Sequence, residues 1–265
     1  MKALLSEFIE LKQRLGRYSF TINELRSELP ISKIALERAI GRYIQKNRIV
    51  SVRKGFYVIV PVEYQTMGIL PSEQFIDDLM KHLQRPYYIG LLSAAAMHGA
   101  AHQRPQESYV ITVKPNMRPL KKKGLKVNFV SKSSVPEVAL ETRNTMTGFL
   151  KVSNPVLTAY DLVYYQIRVG GLNRVTEILS ELVEVIKPGD MQIISRLNCK
   201  IATLQRLGFI LEFVLKRTDI ADALYKQIHS QIQYRIPLSF HRSKSGYPVD
   251  NHWNVIQNIS IEAEI

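Results

Sequence analysis

Residues 21–60, TINELRSELPISKIALERAIGRYIQKNRIVSVRKGFYVIV, constrain this chain more than any other stretch. Thr21 and Glu24 have the S/T-x-x-E spacing in which each side chain bonds the other's backbone amide, so a helix starts there. Ile22, Leu25 and Leu29 then fall on one face. Pro30 stops that helix, because the residue before a proline is pushed out of the α region. Ser32 can cap a second helix, predicted over about Lys33 to Lys46, with Leu36, Ala39, Ile40, Tyr43 and Ile44 as its apolar stripe. Two β-branched and aromatic runs follow, Ile49–Val52 and Phe56–Val60, separated by Arg53, Lys54 and Gly55. Glycine permits the positive φ of a short hairpin loop. Helix, tight turn, helix and hairpin in this order make the core of a winged helix-turn-helix, whose second helix enters a DNA major groove.

The polar face of the second helix suits that role. It carries Ser32, Lys33, Arg38, Arg42, Gln45 and Lys46, and an arginine fork can bond guanine O6 and N7 together. Arg53 and Lys54 are expected at the hairpin tip, where a wing meets phosphate. A basic amphipathic helix is often only a solvated surface, so it is the succession of cap, proline break, basic face and basic-tipped hairpin that points to DNA. The charge distribution agrees. The whole chain has a net charge of +13, and residues 1–60 hold twelve Lys plus Arg against five Glu, a surplus of seven. A polyanion is the expected partner.

Two domains are the natural division of 265 residues. The first is expected to span 1–66, with residues 2–15 supplying a third amphipathic helix, and the second 67–265. In the second, helices are predicted over 72–83, 87–100 and 155–168, and then about 172–186, 189–197, 201–216 and 219–231. Strands are expected over 108–113, 127–131, 137–142, 149–152, 236–241 and 253–261. Asn154-Pro155 is a helix start, and Gly170-Gly171 a helix end. The fold class expected is therefore α+β: a winged helix-turn-helix followed by a larger domain with a mixed sheet and a helical bundle.

One segment interrupts this domain with charge. Lys114, Arg118, Lys121, Lys122, Lys123 and Lys126 fall among thirteen residues free of acid. They form either a solvated loop or a second phosphate contact. Arg235, Arg242 and Lys244 could continue a basic face from the tail.

Other signals have structural readings. His98 and His102 share the i, i+4 spacing of two ligands on one helix face, but no third ligand accompanies them, and packing or capping is the expected role. Asp161 in an apolar helix is expected to be ion-paired. The single cysteine, Cys199, admits no internal disulfide and reads as packed, which fits a reducing, cytoplasmic setting. Glu7, Glu10 and Lys12 interrupt what would be a signal peptide's apolar core. Residues 86–103 lack acids, lysine and arginine, but their histidines, Ser93, Gln103 and glycines argue against a membrane span. An Asp-x-Asp pair that would hold metal for nucleotidyl transfer is missing. The lone Glu-x-Lys, Glu10 to Lys12, sits in the first helix rather than on a nuclease strand. No enzyme activity, metal or cofactor is expected.

Taken in order, the winged N-terminal segment, YYIGLLSAAAMHGAAHQ, VSNPVLTAYDLVYY, a Gly-Gly turn, RLGFILEFV and the terminal NHWNVIQNISIEAEI resemble the AbiEi-type antitoxins of bacterial type IV toxin–antitoxin systems, first described in phage abortive infection. The resemblance implies that the winged domain binds repeats in its own operon's promoter and represses it. It also implies that the second domain counters a nucleotidyltransferase toxin without forming a stable complex. It supplies no catalytic residues, and operator sequence does not carry over, because N-terminal domains differ within the family. The other reading is a winged-helix regulator whose second domain senses a small ligand. An adjacent nucleotidyltransferase gene distinguishes the two.

Overall fold

The structure, a computed structural model, describes residues 2–100 and 106–261. His102 and Gln103 lie outside them. The chain divides into two compact units. Unit 1 holds residues 1–88, 106–135 and 142–151; unit 2 holds 89–105, 136–141 and 152–265. The N-terminal 66 residues thus share unit 1 with three later segments.

Unit 1 begins with α1 (Lys2–Arg14), β1 (Ser19–Thr21), α2 (Ile22–Glu28), α3 (Lys33–Gln45), β2 (Ile49–Arg53) and β3 (Phe56–Ile59). The local signals act as expected. Thr21 Oγ1 accepts from the Glu24 amide at 3.1 Å, and Glu24 Oε2 accepts from the Thr21 amide at 2.6 Å. Ser32 Oγ caps α3 by accepting from the Ala35 amide at 3.3 Å. The short strand β1 has no clear periodicity in sequence, yet it pairs antiparallel with β3 and makes a three-stranded sheet of order β1-β3-β2. Between Ser51 and Arg53 the β2–β3 register slips, so Val52 is a bulge. The hairpin then turns on Lys54 and Gly55, whose φ is +74°.

These pieces close on a core of their own. Leu5, Phe8 and Ile9 of α1, Phe20 of β1, Leu25 of α2, Leu36, Ala39 and Ile40 of α3, and Ile49 and Ile59 of the hairpin form one buried cluster. Phe8 meets Phe20 edge-on at 5.3 Å, and Phe20 stacks on Tyr57 at 5.4 Å. Ile44, expected in the stripe, is 37% exposed because it lies at the end of α3 beyond the cluster.

Next come α4 (Ile76–His82), β4 (Tyr87–Ile89), α5 (Leu91–Met97), β5 (Ser108–Val113), β6 (Leu120–Lys122), β7 (Leu125–Lys132), β8 (Leu140–Thr145) and β9 (Gly148–Ser153). The six-stranded sheet has the order β6-β7-β5-β4-β9-β8. It is mixed: β5 runs parallel to β7, and β6 antiparallel to it. Two sequence expectations change here. The single helix predicted over 87–100 is a strand, a break at Gly90 and a seven-residue helix. Tyr87, Tyr88 and Ile89 are all buried, and a short run that is apolar on every side cannot be assigned by period. The strand expected at 137–142 starts later, since Glu137–Ala139 forms a 3₁₀ turn before β8.

Unit 2 is mainly helical: α6 (Pro155–Tyr164), α7 (Leu172–Leu182), α8 (Ile201–Phe209) and α9 (Thr218–Ile228), then three two-residue strands, β10 (Ile236–Pro237), β11 (Val249–Asp250) and β12 (Val255–Ile256). The helix expected over 189–197 is instead a 3₁₀ helix, Pro188–Arg196, and α8 ends in a π turn over Ile210–Val214. The strands expected over 236–241 and 253–261 shrink to their first paired residues. α6 is buried from Val156 to Val163. It starts on Asn154, whose Oδ1 accepts from the Leu157 amide at 2.9 Å. Asp161 is fully buried within it. His98 spends its Nε2 on the Ser153 carbonyl at 2.7 Å, a packing role rather than a ligand's.

The tail is locked onto α8 by Trp253. Its indole is fully buried, and Nε1 donates to Glu212 Oε2 at 2.7 Å. Gly208 makes room: a Cβ there would stand 2.1 Å from the indole ring. Gly208→Ala is therefore expected to destabilise the protein by at least about 1–3 kcal/mol, the cost of overpacking a filled core. Urea unfolding followed by Trp253 fluorescence measures it, and wild-type stability in the variant would contradict this packing.

Candidate nucleic-acid interface

The basic face of α3 is built by two local devices. Ser32 fixes where the helix begins, and Leu36, Ala39 and Ile40 fix which side is buried. What remains outward is Lys33, Arg38, Arg42, Gln45 and Lys46, all exposed, with Ser32 exposed at the cap. None of these side chains is paired to an acid among the described residues, and Glu37 is the one carboxylate in the helix. Such a face can offer hydrogen-bond donors to base edges and charge to phosphate.

Two contacts hold the elements on either side of this helix in the chain. Lys12 of α1 reaches Glu24 of α2 at 3.2 Å, with its ammonium largely buried and 5.2 Å from the Phe8 ring. Burial pushes the Glu24 carboxyl up, but the Thr21 amide and hydroxyl and the Lys12 ammonium outweigh it and hold the group below the usual carboxylate range. The β2–β3 hairpin is held by α4: His82 Nε2 lies 3.3 Å from the Lys54 carbonyl, and its ring packs on Phe56 at 5.5 Å.

The two hairpin-tip cations have different surroundings. Lys54 is exposed. Arg53 is not free in the same way: its Nη2 donates to the Arg118 carbonyl, and its guanidinium sits over the Phe129 ring at 5.6 Å. Burial lowers its pKa from the ordinary arginine value. The 114–126 segment is therefore not a detached loop. Its second half is the β6–β7 hairpin, turning on Lys123 and Gly124. Lys123 Nζ donates to Asn47 Oδ1 at 3.1 Å, at the turn that leaves α3. Lys126 pairs with Glu107 at 2.5 Å, which holds the Glu107 carboxyl below its usual range. Lys114, Arg118, Lys121 and Lys122 are exposed.

Asn47 and Phe129 went unnoticed in sequence. Asn47 had a signal: an asparagine just after a helix is a common left-handed cap, and its φ here is +53°. Phe129 looks like any strand residue, since only the pairing of β7 sets it beside the β2–β3 hairpin. Arg235, Arg242 and Lys244 are exposed in unit 2.

Residues 88–213 match the family model described as the AbiEi antitoxin C-terminal domain. Over that stretch the chain is similar to AbiEi-type antitoxins. The match covers the antitoxin region from β4 to the π turn after α8, and so leaves the basic helix α3 outside it. The crystal structure of the RV2827C protein from Mycobacterium tuberculosis is similar in fold, with a TM-score of 0.66 over 96% of this chain and 91% of that one, at 14% identity. No curated protein matches the chain. Among the described residues no helix is long and apolar enough to cross a membrane, and no group of three or more metal-ligating side chains gathers.

The ionised Glu24 holds the start of α2 and its tie to α1, and this sets a pH dependence. A carboxyl with a depressed folded pKa stabilises the fold above its unfolded value, near 4.5, and that contribution is lost as pH falls through the folded value. Glu24→Gln is thus expected to lower stability at neutral pH and to approach wild type in acid. Since Glu24 is only part-buried, the effect is about 1 kcal/mol or less. Denaturation curves at pH 7 and pH 3 test it; an equal loss at both would remove the charge from the explanation.

Proposed function

We propose that this AbiEi-type protein is an antitoxin that also represses its own operon, holding double-stranded DNA through residues 1–66 used as a winged helix-turn-helix. The observation that carries the DNA reading is the α3 face: Lys33, Arg38, Arg42, Gln45 and Lys46 exposed together on a helix whose other side is anchored in a separate core. The order of α1, α2, α3 and the β2–β3 hairpin supports it, as does the surplus of positive charge in the first 60 residues. The target is a set of repeats in the protein's own promoter. The antitoxic role is assigned to residues 67–265, against a nucleotidyltransferase toxin encoded nearby, without a stable complex between the two proteins. No catalytic residue is assigned.

Arg38 and Arg42 are the side chains expected to read bases. Arg42→Ala or Arg38→Ala should weaken operator binding by roughly 1–3 kcal/mol and relax specificity at one base pair. Band-shift titration on the native promoter measures this, and unchanged affinity in both variants would assign recognition to another element. The two roles should also separate. Point variants are the proper tool, since a cut at residue 66 runs through unit 1. The Arg38→Ala/Arg42→Ala protein is expected to lose repression yet still protect cells co-expressing the neighbouring toxin from an unrelated promoter. Loss of protection in a folded double variant would mean that DNA binding is part of the antitoxic act.

A further inference from the structure

The β6–β7 hairpin carries Lys121, Lys122 and Lys123 beside Gly124, and it is held at two points in unit 1. Lys123 is spent on Asn47, immediately after α3. Arg53 holds the segment leading into the hairpin through the Arg118 carbonyl, and β7 through the Phe129 ring. A merely solvated loop has no need of such tethers. Lys121 lies on the side of the Glu107 carboxylate, whereas Lys122 stands exposed beside the turn, and holding it fixed removes ordering cost from whatever it binds.

We infer that the β2–β3 hairpin and the β6–β7 hairpin form one phosphate-binding surface for double-stranded DNA, in which Lys54 and Lys122 meet the backbone and Arg53 is a positioning residue rather than a contact. The inference rests on the DNA-binding reading above and extends it from α3 to the sheet. Arg53 suits positioning because its planar fork can donate to a carbonyl while its face rests on an aromatic ring. A lysine keeps the charge but cannot do both. The exposed ammonium groups of Lys54 and Lys122 suit phosphate, where a point charge suffices.

The experiment is a salt titration of binding to the native promoter duplex, using the full chain. Lys122→Gln removes one phosphate contact and should reduce the slope of log affinity against log salt by about one. Arg53→Lys retains every charge, yet should reduce the slope by at least as much, and adding Lys122→Gln to it should change nothing further. Asn47→Gly keeps the left-handed turn but removes the amide that holds Lys123, so it should act in the same direction without disturbing the core. Melting curves establish that each variant is folded, and Asn47→Gly carries the test if Arg53→Lys is not. A wild-type slope in Lys122→Gln, or in both tether variants, would overturn the inference while leaving α3 recognition standing. Insensitivity of binding to Arg38→Ala and Arg42→Ala would instead remove the DNA reading of α3. Equal affinity for duplex RNA of the same sequence would overturn the choice of DNA.

Discussion

A helix can present a fixed row of cations only if something else fixes its rotation and its ends. Here that constraint is met by the cluster formed by Leu5, Phe8, Ile9, Phe20, Leu25, Leu36, Ala39, Ile40, Ile49 and Ile59. It draws on every element from α1 to β3, so no part of the N-terminal segment buries its apolar face alone. The caps at Thr21 and Ser32 set where the helices begin, and the cluster sets which way they turn. Rotating α3 by a third of a turn would bring Arg38 or Arg42 toward Leu25 and Phe20. The cost of burying an unpaired guanidinium forbids that. The outward basic face therefore follows from the core as much as from the basic residues.

The β2–β3 hairpin illustrates how neighbouring residues of one charge divide their work. Arg53 and Lys54 are adjacent at a hairpin tip, and both are basic. A bulge at Val52 re-aims the strand just before them, so that Arg53 comes over Phe129 and Lys54 remains in solvent. The hairpin of β6 and β7 is tied to the same corner through Asn47. Positive charge from a segment some 70 positions later thus joins the charge of the first 60 residues within a single unit.

Unit 2 depends on a different device. Gly208 leaves a space in α8 that the Trp253 ring fills, while Gln205 and Arg206 donate to carbonyls of the returning tail. Strands of two residues contribute few ladder bonds, so side-chain anchors hold the tail in place. This accounts for the shortness of β10, β11 and β12 compared with the alternating runs in the sequence.

What could be read without the structure was local. The Thr21–Glu24 box, the Pro30 break and the Ser32 and Asn154 caps each act within four residues, and each stands where its spacing says; Gly170 instead closes a 3₁₀ helix, because α6, expected to run to about residue 168, ends at Tyr164. The helix periods of α3, α7 and α9 were legible for the same reason: one side faces water, so the pattern carries a phase. Residues 87–100 had no such phase. With apolar neighbours on all sides, Tyr87–Ile89 could pair as a strand as readily as wind into a helix, and only the neighbouring strands decided the matter. The basic residues were all visible as charge, but their roles were not. Which of them stays in solvent, and which is used to hold a loop, depends on what the fold sets beside it: a carbonyl from residue 118, an aromatic ring at 129 and an amide at 47. Those neighbours are distant in sequence, and tertiary packing alone brings them within hydrogen-bonding or ring-contact reach.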